Sequence, residues 1–440
     1  MELRPGYKQT EVGIIPEEWN AVPMEAITTH IGDGLHGTPV YSSNGEYFFI
    51  NGNNLHDGKI VVTSETKAVA HSEFVKYRKS LSDRSILMSI NGTIGNLALF
   101  DGEAVVLGKS AAYVNVKKEV SKPFVYHALQ TEIVKRQLLD GLTGSTIGNL
   151  GLTTIRSARI PLPPTEAEQR AIAEALGDAH ALMGALDRLI GKKRELKQAS
   201  MQQLLTGQTR LPGFGPTVKF KQHIYGSIPD DWNVKPLKLV STMSGRIGWQ
   251  GLQQGEFTEN PDDPFLITGM NFKDGKIRWD EVYHIPTKRY LEAPPIQLRL
   301  NDILMTKDGT IGKLLYVDVI PYPGKASLNS HLLVFRPIGG QYEPKFLFYQ
   351  LGSPAFAQHV ELHKSGSTFY GLTQDATGKY PVVLPSVSEQ TAIAEVLAEM
   401  DAELASLEQR REKTRALKQG MMQELLTGRT RLVSPKESHA

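Results

Sequence analysis

The 440-residue chain contains no cysteine, which excludes disulfide staples and thiolate metal sites. It has no apolar run of membrane length and no charged-then-apolar leader at Met1. The expectation is therefore a cytoplasmic protein without membrane contact. Strong charge of one sign is missing too, since 49 Lys and Arg against 47 Asp and Glu leave a formal net charge of +2. Any nucleic-acid binding must come from local patches, because net charge supplies no general attraction.

Catalytic signatures are also missing. The stretch Gly309-Thr310-Ile311-Gly312-Lys313 has the wrong spacing for a phosphate loop and is followed by Leu314. No Asn/Asp-Pro-Pro-Tyr/Phe run and no His-Glu-x-x-His are present, and the histidines are scattered. One stretch imitates a metal-dependent endonuclease: Pro261-Asp262 followed by Asp274-Gly275-Lys276. The related stretch Asp57-Gly58-Lys59 has no Pro-Asp before it, so turn chemistry explains both copies and catalysis explains neither.

What the chain has instead is a long helical pattern written twice. Residues 164–211 and 385–432 align without a gap from Glu168 and Glu389 onward, with 23 of those 44 positions identical by direct count. The chain is an internal duplication. Pro164 or Pro385 ends an extended approach, Thr165 or Ser386 can cap, and Glu168 or Ser388-Glu389 sits where acids favour a helix start. Ile172, Leu176, Ala179, Met183, Leu186 and Ile190 then recur at steps of three and four, as do Ile393, Leu397, Met400, Leu404 and Leu407. That is the spacing of a coiled-coil seam.

Further on, the seam turns polar at Lys193, Lys197, Arg411 and Lys418. Leu196, Met201, Leu204, Leu205 and Leu417, Met422, Leu425, Leu426 meanwhile place apolar side chains on other faces, which predicts more than one partner helix. Gly207 and Gly428 are stop signals. About 40 helical residues at about 1.5 Å each would make a rod of about 60 Å.

At this length one core is too few, and two globular domains plus the rods suit the chain. Residues 6–24, with Trp19, recur as residues 220–237, with Trp232. The repeat unit is thus a globule and then a rod, divided as 1–163, 164–210, 211–384 and 385–440. Duplicated units favour pseudo-two-fold packing, which predicts antiparallel rods with a globule at each end. The end of the second rod then returns beside the first globule.

Inside the globules the halves disagree after Met24 and after Leu237, where Gly-rich, aromatic and polar segments read as loops. Agreement resumes at residues 48–60 and 265–277, where Asp57-Gly58 and Asp274-Gly275 signal hairpins. Residues 85–100 and 302–317 read as strand, tight turn, strand. Their turns carry Asn91, Thr93 and Asn96 in one copy, and Thr310 and Lys313 in the other. Such a turn suits a phosphate or a base edge, and an ordinary hairpin explains it as well. A further strand follows from Gly108 and from Leu328, then a helix over residues 123–139 and 344–362, and a Gly-Ser-Thr close at Ser145-Thr146 and Ser367-Thr368. Both globules read as mixed α/β (α+β) domains with a mostly antiparallel core.

Taken together these residues resemble the specificity subunits of type I DNA restriction-modification enzymes. The resemblance rests on Ile15-Pro16-Glu17-Glu18-Trp19 and Ile228-Pro229-Asp230-Asp231-Trp232, residues 32–39 and 245–251, the paired Gly-Thr-Ile-Gly turns, and Leu-Leu-Thr-Gly-x-Thr-Arg-Leu ending each rod. It implies a non-catalytic subunit with two target-recognition domains, each reading half of a bipartite site on double-stranded DNA. The packed rods would set the gap and dock two methyltransferase subunits, with restriction/translocase subunits joining them. No cofactor is expected on this chain; S-adenosylmethionine, ATP and Mg would belong to those partners.

A rod of about 60 Å exceeds one DNA turn of about 34 Å, which leaves room for unread base pairs between two half-sites. The disagreement between halves further predicts an asymmetric target. Expected phosphate positioners are Lys109, Lys307, Lys313 and Lys325, and expected base readers are His36, Thr38, Tyr41, Asn91, Arg246, Trp249, Gln250 and His331. A stand-alone metal-dependent nuclease and a coiled-coil adaptor for protein or RNA are the rival readings.

Overall fold

Strands that are apolar at nearly every position must bury both faces, and residues 85–90 and 111–116 show how. In a computed structural model of the chain, Ile86, Met88, Ala112 and Val114 face one core with Phe124, Val125 and Leu138. Leu87, Ala111 and Tyr113 face a second core with Ile50, Leu55 and Leu107. The second copy repeats the division: Ile303, Met305, Leu333 and Phe335 turn one way, and Leu304, Leu332 and Val334 the other. The structure describes residues 4–143, 148–216, 219–223, 226–246, 252–273, 275–366 and 370–433. Contacts divide the chain into two units, residues 1–188 with 408–440, and residues 189–407.

In the first unit a four-stranded antiparallel sheet runs Leu97–Leu99, Ser85–Ser89, Ala111–Val116, Thr28–Asp33. Beside it a three-stranded sheet runs Val105–Leu107, Tyr47–Ile50, Ala68–Val69, its first pair parallel. The second unit has the same plan. Its four strands are Ser241–Ser244, Leu332–Pro337, Ile303–Thr306 and Leu314–Tyr316. Its three are Tyr283–His284, Phe265–Ile267 and Ala326–Leu328, the last pair parallel.

Two expectations change. Segments read as loops after Met24 and Leu237 begin with edge strands, Thr28–Asp33 and Ser241–Ser244. Their glycines and hydroxyls hid them, yet Ile31 is buried in the core, and strand pairing satisfies the backbone whatever the side chains. Each single helix expected beyond the sheets is a pair: Lys122–Ala128 with Glu132–Asp140, and Pro344–Leu351 with Pro354–His363. Thr131 and Ser353 divide them, each hydroxyl accepting an N–H of the next helix.

The two long helices span Glu166–Leu205 and Val387–Leu425. The hydroxyls of Thr165 and Ser386 cap them, accepting the N–H of Glu168 and of Glu389, each at 3.3 Å. Gly207 and Gly428 end them in left-handed conformations (φ +66° and +69°). A Cβ there would lie 2.3 Å from Pro229 and 2.5 Å from Pro16 respectively, so both backbone shape and space demand glycine.

Within each unit the helix segments run antiparallel. Lys193 pairs with Glu403 at 2.7 Å and Lys197 with Asp401 in the second unit, and Arg411 with Asp187 at 3.2 Å in the first. Three of the positions where the seam turns polar, Lys193, Lys197 and Arg411, are therefore ion-paired across it, and the fourth, Lys418, meets the His180 ring instead. Ile172, Leu176 and Leu425 enter the main core of the first unit, and Leu204, Ile393 and Leu397 a core of the second. Leu186, Ile190 and Leu404 are buried, and Met183 and Leu407 half-buried. Leu204 and Leu425, expected among the docking side chains, are thus taken up inside the units. No helix among the described residues is long and apolar enough to cross a membrane.

Candidate nucleic-acid interface

In the first unit the turn Asn91-Gly92-Thr93-Ile94-Gly95 closes the hairpin of Ser85–Ser89 and Leu97–Leu99, with Gly92 and Gly95 left-handed at φ +73° and +85°. Ser89 fixes its base: its carbonyl accepts the Gly95 N–H and its hydroxyl the Asn96 N–H. Thr93 is exposed, and Asn91 and Asn96 are partly so. Asn91 Nδ2 donates to the Lys109 carbonyl at 3.4 Å, and the Ile90 N–H to the Ser110 carbonyl at 2.9 Å. The Leu35 N–H donates to the Leu107 carbonyl, which brings exposed His36 to the same end, its Nε2 2.6 Å from Asp33. One end of the sheet thus gathers His36, Asn91, Thr93, Asn96 and the exposed Lys109.

Tyr41 is not in that group. It pairs with Val69 and stands edge-on to Phe49, against the Tyr47 end of the smaller sheet, whereas Lys109 follows the Ile50 end. Exposed Thr38 precedes it, and the Glu73 carboxylate accepts the Val40 N–H at 2.9 Å.

The second unit builds the same end from different side chains. Gly309 and Gly312 are left-handed (φ +69° and +80°), and the Lys313 N–H donates to the Thr306 hydroxyl at 3.0 Å. The Lys307 N–H donates to the His331 carbonyl, and the His331 ring meets Asp308 at 2.6 Å. Thr310 and Lys313 are exposed, Lys307 partly so. Each turn is a rigid polar knob beside a histidine and a carboxylate. Hydroxyls, amides and ammonium groups suit phosphate oxygens and base edges, and a carboxylate suits a cytosine amino group.

Two expected contact residues stand elsewhere. Arg246 is buried, its Nε donating to the Leu328 carbonyl at 2.8 Å and its Nη2 to Ser327 at 3.0 Å. It braces the strand Ala326–Leu328 rather than presenting donors outward, because a guanidinium off the end of Ser241–Ser244 finds carbonyls in the next sheet. Exposed Lys325 precedes that strand and His331 follows it, so the two lie at opposite ends. Ser145, Thr146, Trp249, Gln250, Ser367 and Thr368 lie outside the described residues.

Below the knobs, each unit is clamped by an arginine from a helix end. Arg431 bonds Glu168, one contact at 2.9 Å, and also Glu18, and its guanidinium lies 5.9 Å from the Trp19 ring. In the second unit Arg210 bonds Glu389 at 2.8 and 2.6 Å and Asp231 at 2.9 Å, 6.0 Å from the Trp232 ring. Gln169 accepts the Ser121 N–H, and Gln390 the Glu343 N–H, each at 2.9 Å. The repeated Glu-Gln and Thr-Arg-Leu motifs are therefore joints between helix and head.

A family model described as the type I restriction modification DNA specificity domain matches residues 27–192 and 229–415. The chain belongs to that family. It is 26% identical over 97% of both chains to a putative type I restriction enzyme MjaX specificity subunit of Methanocaldococcus jannaschii. It is 25% identical to the EcoBI specificity subunit of Escherichia coli, covering 71% of this chain and 66% of that one. The crystal structure of a type I restriction-modification S subunit from M. genitalium shares the fold, with a TM-score of 0.60 at 15% identity over 97% of this chain and 98% of that one.

These relatives lend nothing to the nuclease or adaptor readings. Asp262 accepts the Tyr322 hydroxyl at 2.7 Å, Asp274 lies outside the described residues, and no cluster of three metal-ligating side chains occurs among the described ones. Sequence reasoning overlooked one pair of exposed positions, Asn53 and Met270. The signal was present in the aligned Asn51-Gly52-Asn53-Asn54 and Thr268-Gly269-Met270-Asn271, which share glycine and a closing asparagine and differ between them.

Proposed function

We propose that this chain is the non-catalytic specificity subunit of a type I restriction-modification assembly, and that each unit reads one half of an asymmetric, bipartite site on double-stranded DNA. The observation that carries the reading is one rigid scaffold edge built twice and furnished differently. His36, Asn91, Thr93, Asn96 and Lys109 occupy it in one unit, and Lys307, Asp308, Thr310, Lys313 and His331 in the other. A scaffold that recurs while its exposed groups change is what reading two different half-sequences requires. Lys109, Lys307 and Lys313 serve as phosphate positioners and the remaining groups face base edges.

The long helices dock two methyltransferase subunits. Leu196 and Leu417 support this, since they are identical residues at equivalent places in the repeat, 51% and 62% exposed where internal packing leaves them uncovered. S-adenosylmethionine, ATP and Mg act in the partner chains, including the restriction/translocase subunits. Sequencing of methylated bases in genomic DNA, with and without the gene, should reveal a bipartite asymmetric motif that disappears with it. Exchanging residues 32–41 for another sequence should alter one half of the motif only. A palindromic motif, or a change in both halves or neither, would refute the reading.

A further inference from the structure

In each unit a short turn stands beside the polar knob and is locked to it through a glycine. In the first, Gly52–Asn54 forms a single 3-10 turn in which the Asn51 N–H bonds the Asn54 side chain at 3.0 Å. The Gly52 N–H donates to the Ser110 hydroxyl at 2.9 Å. A Cβ on Gly52 would lie 2.8 Å from Ser89, the residue that fixes the base of the Asn91–Gly95 knob. The second unit repeats this. Gly269–Asn271 is held by Thr268 and Asn271, and a Cβ on Gly269 would lie 3.1 Å from Thr306, whose hydroxyl accepts the Lys313 N–H.

The residue between glycine and asparagine projects from this turn in both units. It is Asn53 in one, exposed, and Met270 in the other, 72% exposed. A methionine that open, on a turn otherwise fixed by hydrogen bonds, contributes little to packing. Asparagine and methionine also have opposite chemistry at one scaffold position.

We infer that Asn53 and Met270 are equivalent specificity-determining residues, each contacting a base at one position of its half-site. The inference rests on the DNA-reading function proposed above. The Asn53 amide, with a donor and an acceptor side by side, matches the adenine edge in the major groove, whereas Met270 can offer only apolar contact, which matches the methyl group of thymine.

The test is selection of binding sites from a randomised duplex library by the purified full chain with its methyltransferase partner, comparing wild type with Asn53→Ala, Met270→Ala and Met270→Asn. Each alanine variant should lose about tenfold or more of its preference at a single base position, in one half-site only. Met270→Asn should move that position away from thymine toward a base bearing amide-compatible groups. The dependence of affinity on salt should stay unchanged, because no phosphate contact is removed. Unchanged preference in the three variants, or a uniform loss across all positions, would overturn the inference while leaving the function intact. A wild-type complex that enriches no motif would overturn both.

Discussion

His127 is the most exacting side chain in the first unit, buried with its Nδ1 unbonded among the described contacts. Burial, then the Lys418 charge, then His180 hold its pKa down at about 4. His180, whose Nδ1 accepts from Lys418 at 3.3 Å, is lowered for the first two reasons, with Asp57 pulling the other way. The equivalent joint of the second unit is Lys197 paired with Asp401, which also accepts the Tyr349 hydroxyl at 2.8 Å. One copy thus closes its joint with a carboxylate, the other with imidazoles that must stay neutral. Both histidines titrate lower in the folded chain than in the unfolded one, near 6.5. Their contribution to stability is therefore complete above pH 6.5 and is lost as the pH falls below it, for His127 down to about 4. For His127 that interval corresponds to about 3 kcal/mol. Thermal melts should show the first unit weakening between pH 6.5 and 4.5. His180→Asp, which restores the pairing of the other copy, should stabilise it at pH 7 by about 1–2 kcal/mol and shrink the acid loss. A variant melting like wild type at both pH values would show that the joint is insensitive to this charge. Nothing along the chain announced the trio, since Lys418 is 238 residues from His180 and a histidine in a list of scattered histidines has no neighbours.

Among elements, the starts and stops of the long helices were legible because caps are local: a hydroxyl three residues before an N–H, a glycine just past the last turn. What the helix ends touch was not legible. Glu168 and Glu389 read as acids suited to a helix start, yet each is 1% exposed and held by an arginine far along the chain, Arg431 or Arg210. Burial raises the pKa of Glu168 on balance while its bonds to Arg431 pull the other way, so the charged form of the carboxylate depends on its partner. Removing one member of a buried pair strands the other charge, at a cost of about 3–5 kcal/mol. Arg431→Ala should accordingly lower the unfolding free energy of the first unit by that order, and Arg210→Ala that of the second, each read as a fall in the denaturant midpoint at unchanged slope. Adding Glu168→Gln to Arg431→Ala removes the stranded charge and should recover part of the loss. If the double variant proved no more stable than the single one, the joint would be held by apolar packing around Trp19 and not by its charges. The edge strands Thr28–Asp33 and Ser241–Ser244 escaped sequence reading for a related reason, since their partner residues lie 79 to 96 positions onward and their own side chains alternate poorly.

For the whole molecule, duplication was the most legible property, because two copies of one pattern check each other, and the reading surfaces were the least, because they are where the copies differ. The same contrast yields an experiment. Each head is closed at its neck by one equivalent hydrogen bond, Met24 N–H to the Ala158 carbonyl at 2.9 Å and Leu237 N–H to the Tyr380 carbonyl at 2.8 Å. Between those bonds lie all the groups proposed to face DNA. Outside them lie the tryptophan, the clamping arginine and the glutamine, which both copies share. Residues 237–380 can therefore replace residues 24–158 with the glutamine contact kept, since Gln169 would meet a backbone N–H at the start of the incoming helix as Gln390 does now. Because the exchange also puts Tyr349 where His127 faces Lys418 and His180, the chimera carries His180→Asp to supply the carboxylate that Asp401 gives Tyr349. Such a chain should direct methylation to a target containing the second half-sequence twice and the first not at all, read by sequencing methylated DNA from cells carrying it with its partners. Retention of two unlike halves by a folded chimera would place sequence choice outside the exchanged segment, in the helices or the partner subunits, and the assignment of reading to the heads would fall.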